Sequence, residues 1–159
     1  MAKKQVKTNA MRMLDKSKID YIVREYPTNG QLTSVDVANI FGQPAERLFK
    51  TLVTTDNKGG YYVFCIPSNA ELDLKKGAVV SGAKKIEMLK QKDLFGLTGY
   101  VHGGCSPVGM KKAFPTYMHV SGQDWDTIYV SGGKIGTQIE INPRDLEKML
   151  DFSFVEVIK

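Results

Sequence analysis

The sequence predicts a mixed α+β fold, in which flanking helices pack on a curved, mostly antiparallel β-sheet or partial barrel. Apolar, β-branched stretches follow one another through short turns, so most strands should pair with their sequence neighbours. Helical segments are interspersed among them, and the pairing of neighbouring strands through short turns favours this mixed sheet over a doubly wound parallel one. A length of 159 residues with 42% hydrophobic residues suits one compact domain over residues 1–159.

The first predicted element is a helix in "KTNAMRMLDKSK", residues 7–18. Thr8 or Asn9 should cap it, because their side-chain oxygens accept hydrogen bonds from the free amides of a first turn. Ala10, Met13 and Leu14 recur at helical spacing, so we expect them on the buried face of this helix.

A strand and a second helix come next. The alternation in "DYIVREY" (20–26) predicts a strand. In "TSVDVANIFG" (33–42), Thr33 and Asp36 have the spacing of a capping box, and Gly42 stands where a C-terminal cap belongs. A further turn of helix is expected from Pro44.

The centre of the chain predicts a hairpin and a third helix. The strands "KTLVTTD" (50–56) and "YYVFCIP" (61–67) are joined by the turn "NKGG". The segment "ELDLKKGAVVSG" (71–82) is typical of a helix that ends near its last glycine. Periodicity does not decide between strand and helix for "KKIEML" (84–89).

The last third of the chain predicts strands and one further helix. Asn142 is the expected cap of that helix, with Pro143 at its first position and Asp145 three residues after the cap. The predicted strands are "TYMHV" (116–120), "TIYVS" (127–131), "GTQIEI" (136–141) and "FSFVEVI" (152–158).

The net charge of +5 favours an anionic partner to a modest degree. Two of the four lysine doublets lie close together in the middle of the chain and could share a face that contacts a phosphate backbone. Any single doublet is better accounted for by a solvated surface, and the aromatic residues show no base-stacking signature. The doublets are Lys3-Lys4, Lys75-Lys76, Lys84-Lys85 and Lys111-Lys112.

Several classes of protein are not favoured by the sequence. The basic N-terminus has no apolar run after it, so no signal peptide is expected, and no apolar stretch approaches membrane-spanning length. Cys65, Cys105, His102 and His119 do not have the spacing of zinc ligands. We therefore expect no metal, no cofactor and no membrane contact, and a cytoplasmic protein with reduced thiols.

The stretch "TGYVHGGCSPVG" (98–109) raises the question of covalent catalysis, because it holds His102, Cys105 and Ser106 within five positions. The partners of a catalytic thiolate usually come from distant parts of a chain, so closeness in sequence is weak evidence. Cys65 lies in an apolar strand and is expected in the core.

Glycines are the other feature of this stretch. Eight of the 15 glycines fall in two short segments, where backbone amides can bind an anion or stabilise an oxyanion. Turn geometry explains any one of them, and neither segment matches a Walker A or dinucleotide motif. An RNA-binding module and an enzyme that works by backbone positioning both remain open. The glycines are Gly96, Gly99, Gly103, Gly104 and Gly109, then Gly132, Gly133 and Gly136.

Five blocks of the chain carry a more specific signal: "FKTLV" (49–53), "LDLKK" (72–76), "KKIEM" (84–88), "TGYVHGGCSPVGMKK" (98–112) and "IYVSGG" (128–133). In this order, they resemble the YbaK family of free-standing bacterial aminoacyl-tRNA deacylases. That family is related to the editing domain of bacterial prolyl-tRNA synthetases. The resemblance runs from about Thr8 to the C-terminus and implies the editing-domain fold.

The resemblance implies hydrolysis of the ester between an amino acid and the 3′-terminal adenosine of tRNA. The implied substrate is cysteine wrongly attached to proline tRNA, an error that follows from the similar size of cysteine and proline. The implied partners are the tRNA acceptor end that carries cysteine and a prolyl-tRNA synthetase. Whether tRNA selectivity is intrinsic or borrowed from that synthetase is left open.

The site residues that the resemblance implies come from four parts of the chain. Tyr26 in "REYP", Lys50 in "FKTLV" and Ser131 in "YVSGG" match family positions. Gly103 and Pro107 in "GGCSP" match the family's loop, and the proline is expected to stiffen that turn.

An aminoacyl ester is already activated, so orientation and charge stabilisation could suffice for its cleavage. We expect Gly103 and Gly104 to present backbone amides to the ester carbonyl. Lys50 would hold the terminal phosphate or ribose or neutralise developing charge, while Tyr26 and Ser131 would hydrogen-bond the adenosine or the aminoacyl group. The resemblance further implies that the substrate's own thiol can attack its carbonyl carbon, so that the amino acid is released as a cyclic product.

Two other functions stay open at this point. One is an alanyl-tRNA(Pro) deacylase of the same fold, because the sequence does not determine the size of the pocket. The other is a non-catalytic module that binds tRNA or a nucleotide.

Overall fold

The computed structural model describes residues 7–28 and 30–159. Helices and strands follow one another along the chain in a mixed α+β arrangement, as the sequence predicts. The helices are α1 (Asn9–Lys16), α2 (Ser34–Phe41), α3 (Leu74–Ser81), α4 (Gln91–Thr98) and α5 (Pro143–Leu150). The strands are β1 (Tyr21–Glu25), β2 (Phe49–Thr55), β3 (Tyr61–Pro67), β4 (Glu87–Met88), β5 (Thr116–His119), β6 (Ile128–Lys134), β7 (Thr137–Ile141) and β8 (Ser153–Val155).

The strands form two sheets. A three-stranded sheet has the order β1-β7-β6 and is antiparallel throughout. A five-stranded sheet has the order β4-β2-β3-β5-β8, in which β3 pairs with β5 and β5 with β8 in parallel, and the other pairs are antiparallel. The mostly antiparallel arrangement is confirmed, and the described strands do not close into a barrel. Leu48 and Tyr129 form a parallel bridge where the two sheets meet.

Local capping explains where the predicted helices begin. Thr8 accepts a hydrogen bond from the Met11 amide at the start of α1. Thr33 and Asp36 form the expected reciprocal capping box of α2, and Asn142 accepts from the Arg144 amide at α5. These bonds satisfy amides that have no partner inside the helix, so short sequence signals are enough to place the helix starts.

The buried face of α1 differs from the prediction. Ala10 and Leu14 are buried as expected, but Met11 is 1% exposed, whereas Met13 is 43% exposed. At about 100° per residue, Met11 and Met13 lie on opposite flanks of the Ala10–Leu14 line, so the spacing is compatible with either. Packing of α1 against the core decides in favour of Met11.

Helix α4 was not predicted. Its N-cap position is Lys90, whose side chain makes no capping hydrogen bond, and it contains Gly96 in its interior. The helix instead depends on tertiary packing, since Leu94 and Leu97 lie against the apolar cluster of Val53 and Val63. The undecided segment before it contributes β4, which pairs with β2.

The core has two main parts. One joins α1, α5 and the three-stranded sheet to the five-stranded sheet and includes Leu14, Ile139, Leu146 and Met118. The other packs α3 on the five-stranded sheet around Phe64 and Ile66. Cys65 is fully buried, as its apolar strand predicts. None of the described helices has both the length and the apolar character needed to cross a membrane.

Exchange of Met11 for alanine should destabilise the protein by about 2–5 kcal/mol, because it leaves a cavity beneath α1. The same change at Met13 in the same helix should cost no more than about 0.5 kcal/mol. Urea unfolding followed by circular dichroism compares the two variants. Equal losses would contradict the helix orientation described here.

Candidate active site

A groove of about 1160 Å³ brings together parts of the chain that are far apart in sequence. It is lined by four of the predicted site residues: Tyr26, Lys50, Gly103 and Ser131. The structure does not place Gly104 and Pro107 on its lining; both are buried within the glycine-rich loop. For this loop we use the range 99–115, which joins α4 to β5.

Lys50 is a cation without a neutralising partner. Its Nζ donates a hydrogen bond to the Ser68 carbonyl oxygen at 3.2 Å, and within the described part of the chain no carboxylate lies at ion-pair distance. Burial lowers the pKa of the Lys50 ammonium, and the negative charge of Glu71 partly opposes this shift. A negatively charged or carbonyl oxygen in the groove would therefore interact favourably with Nζ.

Tyr26 follows β1 and is held from two sides. Its backbone amide donates to the Gly136 carbonyl at 2.9 Å, which ties it to the β6–β7 turn. Its ring meets Phe41 edge-on at a centroid distance of 6.1 Å, and Phe41 in turn stacks on Tyr129 at 5.7 Å. These contacts fix the ring at the groove wall, where its hydroxyl can serve a ligand.

Ser131 and Gln138 form a cross-strand pair between β6 and β7. Directly opposed residues share one face of a sheet, and both line the groove. The Ser131 hydroxyl accepts a hydrogen bond from the Gly133 amide at 3.2 Å. Gln138 is only 7% exposed, and its Oε1 is buried without a hydrogen-bond partner among the described residues.

Gln138 is a site residue that the sequence reasoning missed. In "GTQIEI" the apolar Ile139 and Ile141 occupy the core face, so the alternation predicts that Gln138 and Glu140 lie on the opposite face, toward solvent. Its burial goes with its pairing opposite Ser131 at the groove, which the local pattern does not contain. An unpaired buried acceptor costs about 1–3 kcal/mol, which a donor on a ligand would offset.

Backbone geometry distinguishes the two glycines of the loop. The Gly104 amide donates to the Val101 carbonyl at 3.0 Å and is thus used inside the loop, which differs from the expectation that it faces an ester. The Gly103 and Cys105 amides make no hydrogen bond to any described residue, and both residues line the groove. Gly103 also has φ of +86°, a conformation that favours glycine.

Gly104 has a packing role instead. A Cβ atom at this position would lie 2.8 Å from the Ile135 nitrogen and 2.9 Å from the Lys134 carbonyl carbon. These are backbone atoms of the β6–β7 turn and cannot rotate away. The absence of a side chain therefore lets the loop pack directly on that turn.

Of the three residues that suggested covalent catalysis, His102 is exposed and lines the groove, whereas Cys105 and Ser106 are placed unfavourably for it. Cys105 lines the groove but is 8% exposed, and burial raises the pKa of its thiol to about 12. The thiol is therefore neutral near pH 7 and a weak nucleophile. Ser106 is fully buried, and its hydroxyl accepts from the Val108 amide at 3.2 Å. Over the described residues no group of three or more His, Cys, Asp or Glu side chains could hold a metal ion.

Comparison with known proteins adds to this geometry. Residues 28–149 match the family model of the aminoacyl-tRNA editing domain. The chain belongs to this family. This editing-domain chain is also 49% identical to EbsC of Enterococcus faecalis, which is provisionally named a Cys-tRNA(Pro)/Cys-tRNA(Cys) deacylase. That match covers 99% of this chain and 98% of EbsC, and it confirms the resemblance read from the five sequence blocks.

Solved structures share the fold of this editing domain. One is provisionally described as a trans-editing enzyme for prolyl-tRNA synthetase; its TM-score is 0.84 at 21% identity, over 98% of this chain and 99% of that chain. Another is the hypothetical protein APE2540, with a TM-score of 0.86 at 20% identity, over 96% of this chain and 100% of that chain. At these identities the likeness shows the fold alone.

Substitution of Gly104 by alanine should destabilise the editing domain by about 1–3 kcal/mol, because the new methyl group meets the backbone of the β6–β7 turn. Gly96 in α4 is the matched control, since a Cβ there meets nothing within 4 Å. Gly96→Ala should stabilise by about 0.5–1 kcal/mol. Urea unfolding measures both, and a neutral Gly104→Ala would contradict the packing contact.

Proposed function

We propose that this protein deacylates mischarged tRNA in trans, with cysteinyl-tRNA(Pro) as its substrate. The observation that carries the proposal is the groove, in which the unneutralised Lys50 ammonium and unpaired backbone amides of the loop line one cavity. The high identity to EbsC over nearly the whole chain supports cysteine as the amino acid. The groove is also large enough for an aminoacyl-adenosine, since small-ligand pockets measure about 300–1000 Å³.

A cationic side chain, hydrogen-bond donors and a hydrogen-bond acceptor hold the ester. Lys50 faces the terminal ribose or phosphate, or the charge that develops on the carbonyl oxygen. Tyr26 and Ser131 donate hydrogen bonds to the adenosine or the aminoacyl group. Gln138 lines the groove, and a rotation of its side chain toward the ligand would let the buried Oε1 accept from the α-ammonium group, which carries three donors.

Backbone amides of the loop stabilise the negative charge that develops on the carbonyl oxygen. The free Gly103 and Cys105 amides are the donors we assign to the developing oxyanion, in place of the Gly104 amide. Because the ester is activated and bound in one orientation, no protein nucleophile is required. The neutral Cys105 thiol is consistent with this mechanism.

The thiol that reacts is proposed to be that of the substrate. Its sulfur forms a bond to the carbonyl carbon, the bond from that carbon to the ribose 3′ oxygen breaks, and the thiol proton passes to that oxygen. The products are a cyclic thiolactone and free tRNA. Attack by water in place of the thiol gives free cysteine, and trapping the first product distinguishes the two routes.

Prolyl-tRNA synthetase is the proposed partner, because its errors would supply this substrate. Such a protein would act in the cytoplasm, where aminoacyl-tRNA is made. Whether the synthetase also supplies tRNA selectivity can be measured by adding it to the deacylation assay.

A deacylation panel tests the proposal. Cysteinyl-, alanyl- and prolyl-tRNA(Pro) are incubated with the protein, and loss of each ester is compared with loss in buffer. We expect the cysteinyl ester to disappear fastest and the prolyl ester to persist. Preference for the alanyl ester would favour the alanine-clearing alternative. Tight binding of uncharged tRNA without turnover of any ester would favour a binding module.

The Lys50→Ala variant should lose about 100-fold in kcat/KM for cysteinyl-tRNA(Pro), a loss typical of removing one stabilising group from a developing charge. Lys58→Ala is the control, because this exposed lysine in the β2–β3 turn does not line the groove. Cys105→Ala should keep wild-type activity. Loss of activity in a folded Cys105→Ala variant would overturn the backbone mechanism.

Gln138→Leu should change stability and activity in opposite directions. Removing a buried acceptor that has no partner should stabilise the protein by about 1 kcal/mol. The same change should lower kcat/KM about tenfold, because the α-ammonium group loses its acceptor. Gln138→Glu keeps the acceptor and should keep binding. A Gln138→Leu variant that loses both stability and activity would show that the residue is structural.

A further inference from the structure

We propose that a recess next to the groove binds a backbone phosphate in the 3′ single strand of tRNA, a proposal that rests on the deacylase function above. The recess has a volume of about 290 Å³. Its walls come from α1, which contributes Arg12 and Lys16, and from the end of the glycine-rich loop, which contributes Gly109 and Lys111.

The recess carries positive charge that no described residue neutralises. Arg12, Lys16 and Lys111 line it, and no acidic side chain does. None of the three forms an ion pair within residues 7–28 and 30–159. The carboxylate of Asp15 in α1 is already bonded to Lys7 and to the Tyr21 hydroxyl. An anion would therefore meet three uncompensated cations.

Two of these cations are held in place by neutral acceptors. The Arg12 guanidinium donates to the Lys7 carbonyl oxygen at 2.9 Å and to the Asn9 side-chain oxygen. The Lys111 Nζ lies 3.4 Å from the Gly96 carbonyl oxygen and 5.5 Å from the centre of the Phe95 ring. These contacts orient the cations without cancelling their charge, so less conformational entropy is lost when a phosphate binds.

The loop connects the recess to the groove. Cys105 lines the groove and Gly109 lines the recess, and four residues of chain span at most about 14 Å. A second connection runs through α1, because the Thr8 hydroxyl donates to the Gly132 carbonyl, which directly follows Ser131 of the groove. A tRNA with its terminal adenosine in the groove thus has its preceding phosphates within reach of the recess.

The test compares two variants that lose the same charge. The first combines Arg12→Gln, Lys16→Gln and Lys111→Gln. The control combines Lys58→Gln, Lys75→Gln and Lys148→Gln, three exposed lysines that line neither cavity. Binding of uncharged tRNA(Pro) is measured over a series of KCl concentrations. We expect the recess variant to bind about tenfold more weakly and to show a salt slope smaller by about 1, with little change in the control.

Two further measurements separate the loss of a phosphate contact from a general disturbance of the fold. The cysteinyl ester of adenosine, which has no phosphate, should be cleaved with equal kcat/KM by the wild type and the recess variant. The charge-preserving variant Arg12→Lys, Lys16→Arg, Lys111→Arg should retain tRNA affinity. An equal loss on the adenosine ester would show a structural effect and overturn the inference.

The phosphate-site inference can be wrong while the proposed deacylase function still holds. Unchanged tRNA affinity and salt slope in the recess variant would overturn the phosphate site, while turnover of cysteinyl-tRNA(Pro) by the wild type would still stand. If the wild type turns over no ester, the proposed function is wrong, but the measurement of tRNA(Pro) binding still tests the phosphate site.

Discussion

The contact between the glycine-rich loop and the β6–β7 turn is the constraint on which the site depends. Gly104 lies against the backbone of Lys134 and Ile135, at a distance that leaves no space for a Cβ atom. This packing holds the loop over the three-stranded sheet and leaves the Gly103 and Cys105 amides without protein acceptors at the groove. The chemistry we propose therefore rests on main-chain atoms whose position is set by close packing, because a backbone donor has no rotamers of its own.

A second contact places Lys50 at the same groove. Leu48 bridges to Tyr129, and this bridge joins the start of β2 to the edge of the three-stranded sheet. Arg47 reinforces the junction, with its guanidinium 5.2 Å from the centre of the Tyr129 ring and an ion pair to Glu140 at 3.4 Å. Lys50 lies two residues further along β2, so the junction between the sheets determines which residues this ammonium can meet.

The sequence predicts best what local interactions determine. The capping box at Thr33 and the central hairpin depend on a few neighbouring residues, and both are found as predicted. Helix α4 has no side-chain capping hydrogen bond at its N-terminus and was missed, and the choice of Met11 over Met13 on α1 came from tertiary packing that helical spacing does not contain. Gln138 was missed for the same reason, because its burial goes with a strand pairing that the local sequence pattern does not contain.

The groove is notable for polar groups that the protein itself leaves unpaired. Among the described residues Lys50 has no carboxylate partner, the Gly103 amide has no acceptor and the Gln138 Oε1 has no donor, and all three residues line the cavity. The buried Gln138 Oε1 lowers the stability of the folded state, and a ligand that donates to it would offset this cost. An aminoacyl ester carries the complementary set in one molecule: a carbonyl oxygen that accepts, an ammonium group that donates and a ribose phosphate that is anionic. The arrangement thus matches the reacting end of a charged tRNA more closely than it matches a nucleotide, which lacks the ammonium group.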